Sequence, residues 1–267
     1  MFFLISLNTK NNSEMNRIAL ITGASSGIGK AAAELLARNN FDLILTGRRS
    51  EKLQNLKDKI ESETKSRVTT LVFDIRNKKE TETAFQSLSD NWKQIDVLIN
   101  NAGLAVGMEP IHEGFVDDWE RMIDTNIKGL LYITRLVSPI MVERGSGHII
   151  NVSSIAGKET YAMGNVYCAS KHAVQALTQG MRIDLVKHGV KVSSVAPGAV
   201  ETEFSVVRFK GDQSKADNVY QGFIPLYAED IAETILFMVT RPAHVNIDDV
   251  LIMPTAQAFS RLTHRKE

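Results

Sequence analysis

Short runs rich in Val, Ile and Leu alternate along this chain with longer stretches whose apolar residues recur at helical spacing. That alternation predicts a parallel sheet with crossover helices. Strands are expected at Arg17–Thr22, Asp42–Thr46, Val68–Phe73, around Val97–Ile99, at His148–Val152, at Lys191–Val195 and at Asp249–Met253. Helices are expected from about Gly27 to Asn40, Glu51 to Glu63, Lys78 to Trp92, Val116 to Glu143, Tyr167 to His188 and Glu229 to Thr240. A long loop separates Pro197-Gly198 from Tyr227. No repeat or low-complexity segment interrupts the pattern, so residues 16–267 are read as one α/β, doubly wound, Rossmann-type domain of about seven strands. The opening apolar run ends at Leu7, too short to span a membrane and without a basic flank or cleavage site, and residues 1–15 are read as a flexible extension.

One stretch carries candidate chemistry. In Asn151–Lys171, Tyr167 stands thirteen residues after Ser154 and Lys171 four after Tyr167. On a helix the last two share a face. Bringing a phenol from its usual pKa of about 10 to about 7 takes about 4 kcal/mol, which one cation at about 4 Å supplies at an effective dielectric near 20. Ser154 then has the place to hold a substrate oxygen. Taken alone, however, the Tyr–Lys pair equally describes an ordinary solvated helix face.

Thr22-Gly23-Ala24-Ser25-Ser26-Gly27-Ile28-Gly29 joins the first strand to the first helix. Glycines there let backbone approach a pyrophosphate at a helix N-terminus. The P-loop pattern fails, because Ala24 stands where its first Gly is required and Ala31 follows Lys30. The second strand ends in Thr46-Gly47-Arg48-Arg49, with no acid to take a ribose 2′-hydroxyl. Guanidinium at this place suits the 2′-phosphate of NADP(H), with Arg48 the first choice for the contact and Arg49 beside it.

Composition removes other classes. Lys+Arg and Asp+Glu both number 31, so no basic excess points to nucleic acid or an anionic membrane. The lone Cys168 forbids an intramolecular disulfide, fits a reducing compartment such as the cytoplasm, and reads as core filler.

Together TGASSGIG, NNAG (Asn100–Gly103), Asn126 in DTN, Ser154, Tyr167-x-x-x-Lys171 and Pro197-Gly198 resemble the short-chain dehydrogenase/reductases over about residues 16–255. NNAGLAVGMEP, DTNIKGL, FSVVRFKGD and the PAHVN and MPTAQA strings are similar to those of NADP-dependent 3-hydroxy acid (serine/allo-threonine) dehydrogenases. The resemblance implies Tyr167 as general acid/base, Lys171 as its partner and ribose ligand, Ser154 as the clamp on the substrate oxygen, and Asn126 as holder of a relay water. It also implies cofactor contacts from Gly23, Ser25, Ser26, Gly27, Ile28, Gly29, Arg48, Arg49, Asp74, Ile75, Asn101, Ala102 and Gly103. At the nicotinamide end it implies Pro197, Gly198, Val200 and Thr202.

A 3-hydroxy acid needs a cation for its carboxylate, and Arg208 in the long loop is the candidate, with Met108, Tyr161 and Met163 as candidate apolar wall. Reduction of dicarbonyls or other non-acidic ketones is the alternative chemistry, and an NADP-sensing protein without turnover the alternative of another class. A homotetramer built on the helices at about 116–143 and 165–188 is the family expectation. No metal is expected.

Overall fold

The computed structural model describes residues 16–266, so the expected extension at 1–15 lies outside the described residues. Seven parallel strands form one sheet in the order β3-β2-β1-β4-β5-β6-β7: β1 Arg17–Thr22, β2 Phe41–Gly47, β3 Val68–Val72, β4 Ile95–Asn100, β5 Gly147–Val152, β6 Val190–Pro197 and β7 Asp249–Ile252. The central strands are buried end to end, as a parallel sheet covered on both faces requires. Alternate side chains divide between two cores. Ala19 and Ile21 of β1 face Leu36 of α1 (Gly27–Arg38), Leu53 of α2 (Ser50–Glu63) and Ile235 in a later helix. Ile18 and Leu20 face Phe85 of α3 (Lys78–Gln86) together with Ile133, Val137 and Met141.

Three elements differ from the sequence reading. The helix expected over 78–92 is two pieces, α3 and a single turn α4 at Asp90–Lys93, because Ser87 and Ser89 interrupt it and Leu88 turns into the core. The helix expected over 116–143 runs to Arg144, but as α5 (Val116–Ile123), a π-helical turn over Asp124–Gly129 and α6 (Leu130–Arg144). The loop after Pro197 contains α8 (Phe204–Arg208) and α9 (Gln213–Asn218). Between β5 and β6 runs the 21-residue α7, Asn165–Leu185, and α10 spans Ala228–Val239. A short hairpin, β8 Gln257–Phe259 with β9 Leu262–Thr263, follows the sheet.

Chain order reverses at β1, which lies between β2 and β4. Doubly wound sheets open a crevice at such a point, outside the carboxyl ends of the strands. Gly23 follows β1, Arg48 follows β2 and Asn101 follows β4, so this crevice collects the sequence motifs.

Candidate active site

A cavity of about 350 Å³ occupies the crevice and brings together most of the candidate residues. Gly23, Ser25, Ser26, Gly27, Ile28, Arg48, Arg49, Asp74, Ile75, Asn101, Ala102, Gly103, Ser154, Tyr167, Lys171, Pro197, Gly198, Val200 and Thr202 all line it. Of the catalytic and cofactor candidates and Arg208, three do not, and neither do Met108, Tyr161 and Met163. Gly29 packs behind the wall, where a Cβ would lie 2.5 Å from both the Asn101 amide and the Gly23 carbonyl. Asn126 and Arg208 stand behind it as well, in ways that bear on their expected roles.

The loop after β1 is held open by its neighbours. Gly23 and Gly27 have φ values of 67° and 53°, in the left-handed region where glycine is unstrained. The Asn101 amide donates to the Thr22 and Gly23 carbonyls, fixing the loop to the end of β4. Ser26 at the N-cap of α1 gives that helix no side-chain cap, so its first N–H groups are available to an anion. At the end of β2, Arg49 donates from Nε and Nη2 to Ser25 Oγ at 3.0 and 2.8 Å and from Nη2 to Ser26 Oγ at 2.6 Å. Arg48 lies toward Asp74, at 3.8 Å, on the third-strand side. Arg49 is thus the guanidinium joined to the glycine loop, and Arg48 the one beside the expected adenine position. Asp74 itself pairs with Arg76 at 2.6 Å, and that pairing holds its carboxyl below the usual range. An uncapped helix end, two guanidiniums and a long crevice fit a phosphorylated dinucleotide.

At the other end, α7 carries Tyr167 and Lys171 on its buried face. Lys171 is 6% exposed and its Nζ donates to the Val152 carbonyl at 3.0 Å. A Cβ on residue 103 would come within 3.4 Å of that Nζ and 3.3 Å of Asn126 Oδ1, so glycine there leaves the ammonium its place. Ser154 lines the cavity with the Tyr167 phenol, its hydroxyl donating to the Pro197 carbonyl at 3.5 Å and accepting from Ala156 N at 3.1 Å, whereas Ser153 is buried and its hydroxyl donates to the Lys171 carbonyl at 3.4 Å.

The model of the short chain dehydrogenase family matches residues 17–213, from the first strand through the catalytic run. The chain belongs to that family.

Its relatives include an NADP-dependent 3-hydroxy acid dehydrogenase of Salmonella typhi, 49% identical over 93% of this chain and 99% of that protein. Sulfoacetaldehyde reductase 2 of Chromohalobacter salexigens is 45% identical over 92% and 97%. Among solved structures, the closed form of a serine dehydrogenase complexed with NADP+ has a TM-score of 0.87 at 46% identity, covering 94% of this chain and 100% of that one.

In this short-chain dehydrogenase the tyrosine differs from the sequence expectation. Burial pushes the Tyr167 phenol above its usual range, against the opposing effects of the Ser154 hydroxyl and the Arg208 charge. Burial also pushes Lys171 down to about 8. The expected lowering of the phenol to near neutrality by Lys171 is therefore not in place, because the dry surroundings that concentrate the cation's field disfavour both charges first. Asn126 has a holding role in addition to the one expected of it. Its Oδ1 accepts from Leu104 N at 2.8 Å, and its Nδ2 donates to Leu104 O and Ser170 Oγ, both at 2.9 Å. The side-chain amide thus holds the strand-end loop against α7, with both N–H groups used and one acceptor site of Oδ1 left over.

Arg208 ends α8 and packs against the catalytic tyrosine. Its guanidinium carbon lies 5.6 Å from the Tyr167 ring centroid and 5.4 Å from that of Tyr161, whose hydroxyl accepts from Arg208 Nη1 at 2.9 Å. Arg208 Nε and Nη2 are buried and have no partner among the described residues. Of the expected apolar wall, Tyr161 takes part through this contact, while Met163 is 43% exposed. Sequence reasoning missed Lys52 and Glu203, which meet Arg49 at the other end of the cavity.

Proposed function

We propose that the protein transfers hydride reversibly between NADP(H) and a short 3-hydroxy acid or its carbonyl form. The observation that carries the substrate class is Arg208: a buried guanidinium with two unpartnered donors, packed on the ring of the reactive tyrosine. A buried charge without a partner is unfavourable, and a carboxylate presents two oxygens to such a fork. The names and high identity of the relatives support the same reading. The sulfonate of sulfoacetaldehyde, the substrate named for another relative, offers a guanidinium the same geometry and is the second reading.

NADP(H), when bound, supplies or accepts the hydride. The chain's own residues do the rest. Ser154 holds the substrate oxygen beside the phenol. Tyr167 gives its proton to that oxygen in reduction and takes it back in oxidation. Lys171, one helical turn from the tyrosine and charged below about pH 8, offsets part of the burial penalty on the phenolate. The hydroxyls of Ser25 and Ser26, with Arg48 and Arg49, hold the phosphate groups, and Thr202 lies at the nicotinamide end. A homotetramer in the cytoplasm completes the proposal. It is supported by exposed apolar residues in the two segments expected to pair, such as Val116, Ile183 and Val186 at 57, 75 and 69% exposure.

Steady-state kinetics of Arg208→Ala test the substrate class. KM for L-serine and 3-hydroxypropionate is expected to rise about 100-fold, the equivalent of the roughly 3 kcal/mol of a charged hydrogen-bonded pair. Uncharged alcohols of the same size should keep their kcat/KM. Equal losses on both classes would remove Arg208 as the carboxylate ligand.

A further inference from the structure

Glu203 sits between Thr202 and α8, yet its carboxylate lies across the crevice mouth on cations from the end of β2 and the first turn of α2. Its Oε2 accepts from Arg49 Nη1 at 2.7 Å and its Oε1 from Lys52 Nζ at 2.7 Å. Both cations hold the Glu203 carboxyl down to about 2. With Nε and Nη2 of Arg49 on the two serine hydroxyls, the Arg49–Lys52 pair and those hydroxyls form a concave anion site already filled by an anion of the chain itself. The Glu203 side chain is 48% exposed, and so is that of Lys52, so the carboxylate has open solvent to leave into.

We propose that Lys52 is a second cation of the 2′-phosphate site, beside Arg49, and that Glu203 occupies this site until the phosphate displaces it. The inference rests on the NADP(H) reading above. A phosphomonoester outcompetes a carboxylate here because it brings nearly two charges and three acceptor oxygens to two cations. NAD(H) carries no 2′-phosphate and leaves Glu203 where it is. Discrimination between the two cofactors then has a part that Arg48 and Arg49 do not supply: an internal competitor that only the phosphorylated cofactor removes.

Direct binding by calorimetry, with NADPH, NADH, 2′-AMP and 5′-AMP and without turnover, tests the proposal. Lys52→Met should raise the Kd for NADPH and for 2′-AMP about tenfold, as loss of one charged hydrogen bond does, and leave NADH and 5′-AMP within about twofold. Glu203→Gln should lower the Kd for NADPH and 2′-AMP about threefold, the worth of an exposed ion pair removed from competition, with NADH again unmoved. A Lys52→Met protein that weakens NADH as much as NADPH, or weakens neither, overturns the role of Lys52. A Glu203→Gln protein whose Kd for 2′-AMP stays the same or rises overturns the competition. Wild-type protein that binds NADH as tightly as NADPH fails the cofactor reading itself, a separate outcome from either.

Discussion

At Tyr167 burial and catalysis pull in opposite directions. The phenol is 8% exposed, and dehydration keeps its proton on. In that state it is ready to donate to a carbonyl oxygen, so reduction needs no prior ionisation, whereas oxidation needs the phenolate. Above about pH 8 Lys171 loses the charge that favours the phenolate, so kcat/KM for oxidation of a hydroxy acid is expected to fall as pH rises past that value, while reduction, which draws on the protonated phenol, holds level. Tyr167→Phe should lose both directions by at least about 1000-fold, within the range assigned to general acid–base groups, while the NADPH Kd measured by fluorescence changes less than fivefold. A Phe variant retaining most of its turnover would put the proton elsewhere. The identity of these residues was legible in the sequence because Ser154, Tyr167 and Lys171 keep fixed spacings along one strand end and one helix. Their electrostatics were not legible. A spacing gives the distance between two charges but not the water excluded around them, and here exclusion is the larger effect.

Among the elements, the π-helical turn over Asp124–Gly129 matters most to the site. One extra residue in a helical turn shifts which side chain faces inward, and Asn126 is the residue turned in, 1% exposed. Gly129 in the same turn fits under Ile75, whose Cγ2 would lie 2.9 Å from a Cβ there. Asn126→Ala should strand the Leu104 N–H and C=O, while the Ser170 hydroxyl keeps its donation to the Tyr167 carbonyl at 2.8 Å. Removing a buried partner costs about 1–3 kcal/mol for each group left unsatisfied. Urea unfolding is expected to show a loss of about 3 kcal/mol, and a loss below about 1 kcal/mol would mean that water replaces the amide without penalty. Periodicity revealed a long helix over this stretch but not its π turn, because one inserted residue barely disturbs an apolar repeat. The split at Ser87–Ser89 was hidden for a similar reason, and α8 and α9 are held by contacts from distant segments, such as Gly107 N to Arg208 O at 3.1 Å.

Across the whole molecule, acid should act through His148. The ring is 1% exposed in β5, meets Ser193 Oγ at 2.8 Å, and faces the charges of Lys191 and Arg17. Burial, more than those charges, pushes it from 6.5 down to about 3. The folded value lies below the unfolded one, so stability is complete above pH 6.5 and falls as pH drops toward 3, while the unfolded chain takes up the proton that the folded chain refuses. One such proton gives a slope of about 1.4 kcal/mol per pH unit. Denaturant titrations between pH 6.5 and 4 should show this slope in the wild type and lose about that much of it in His148→Gln, whose amide can still reach Ser193. An unchanged slope would place the acid-sensitive group elsewhere. The fold class itself was readable from alternating apolar strands and amphipathic helices, whereas the β8–β9 hairpin was too short and too polar to register.

The middle position of β1 has a consequence for the chain as it is made. β1 leaves the ribosome ahead of the other strands of the sheet, and β2 follows to cover one of its edges. The other edge waits for β4, whose Ile95–Ile99 pairs with Ile18–Ile21. At about 5–20 residues per second that wait lasts seconds. For its duration a strand of Ile, Ala and Leu shows a bare row of amides and carbonyls, the kind of edge on which nascent chains join one another. The crevice that later receives the nucleotide is thus, during synthesis, the seam along which this protein is most open to self-association.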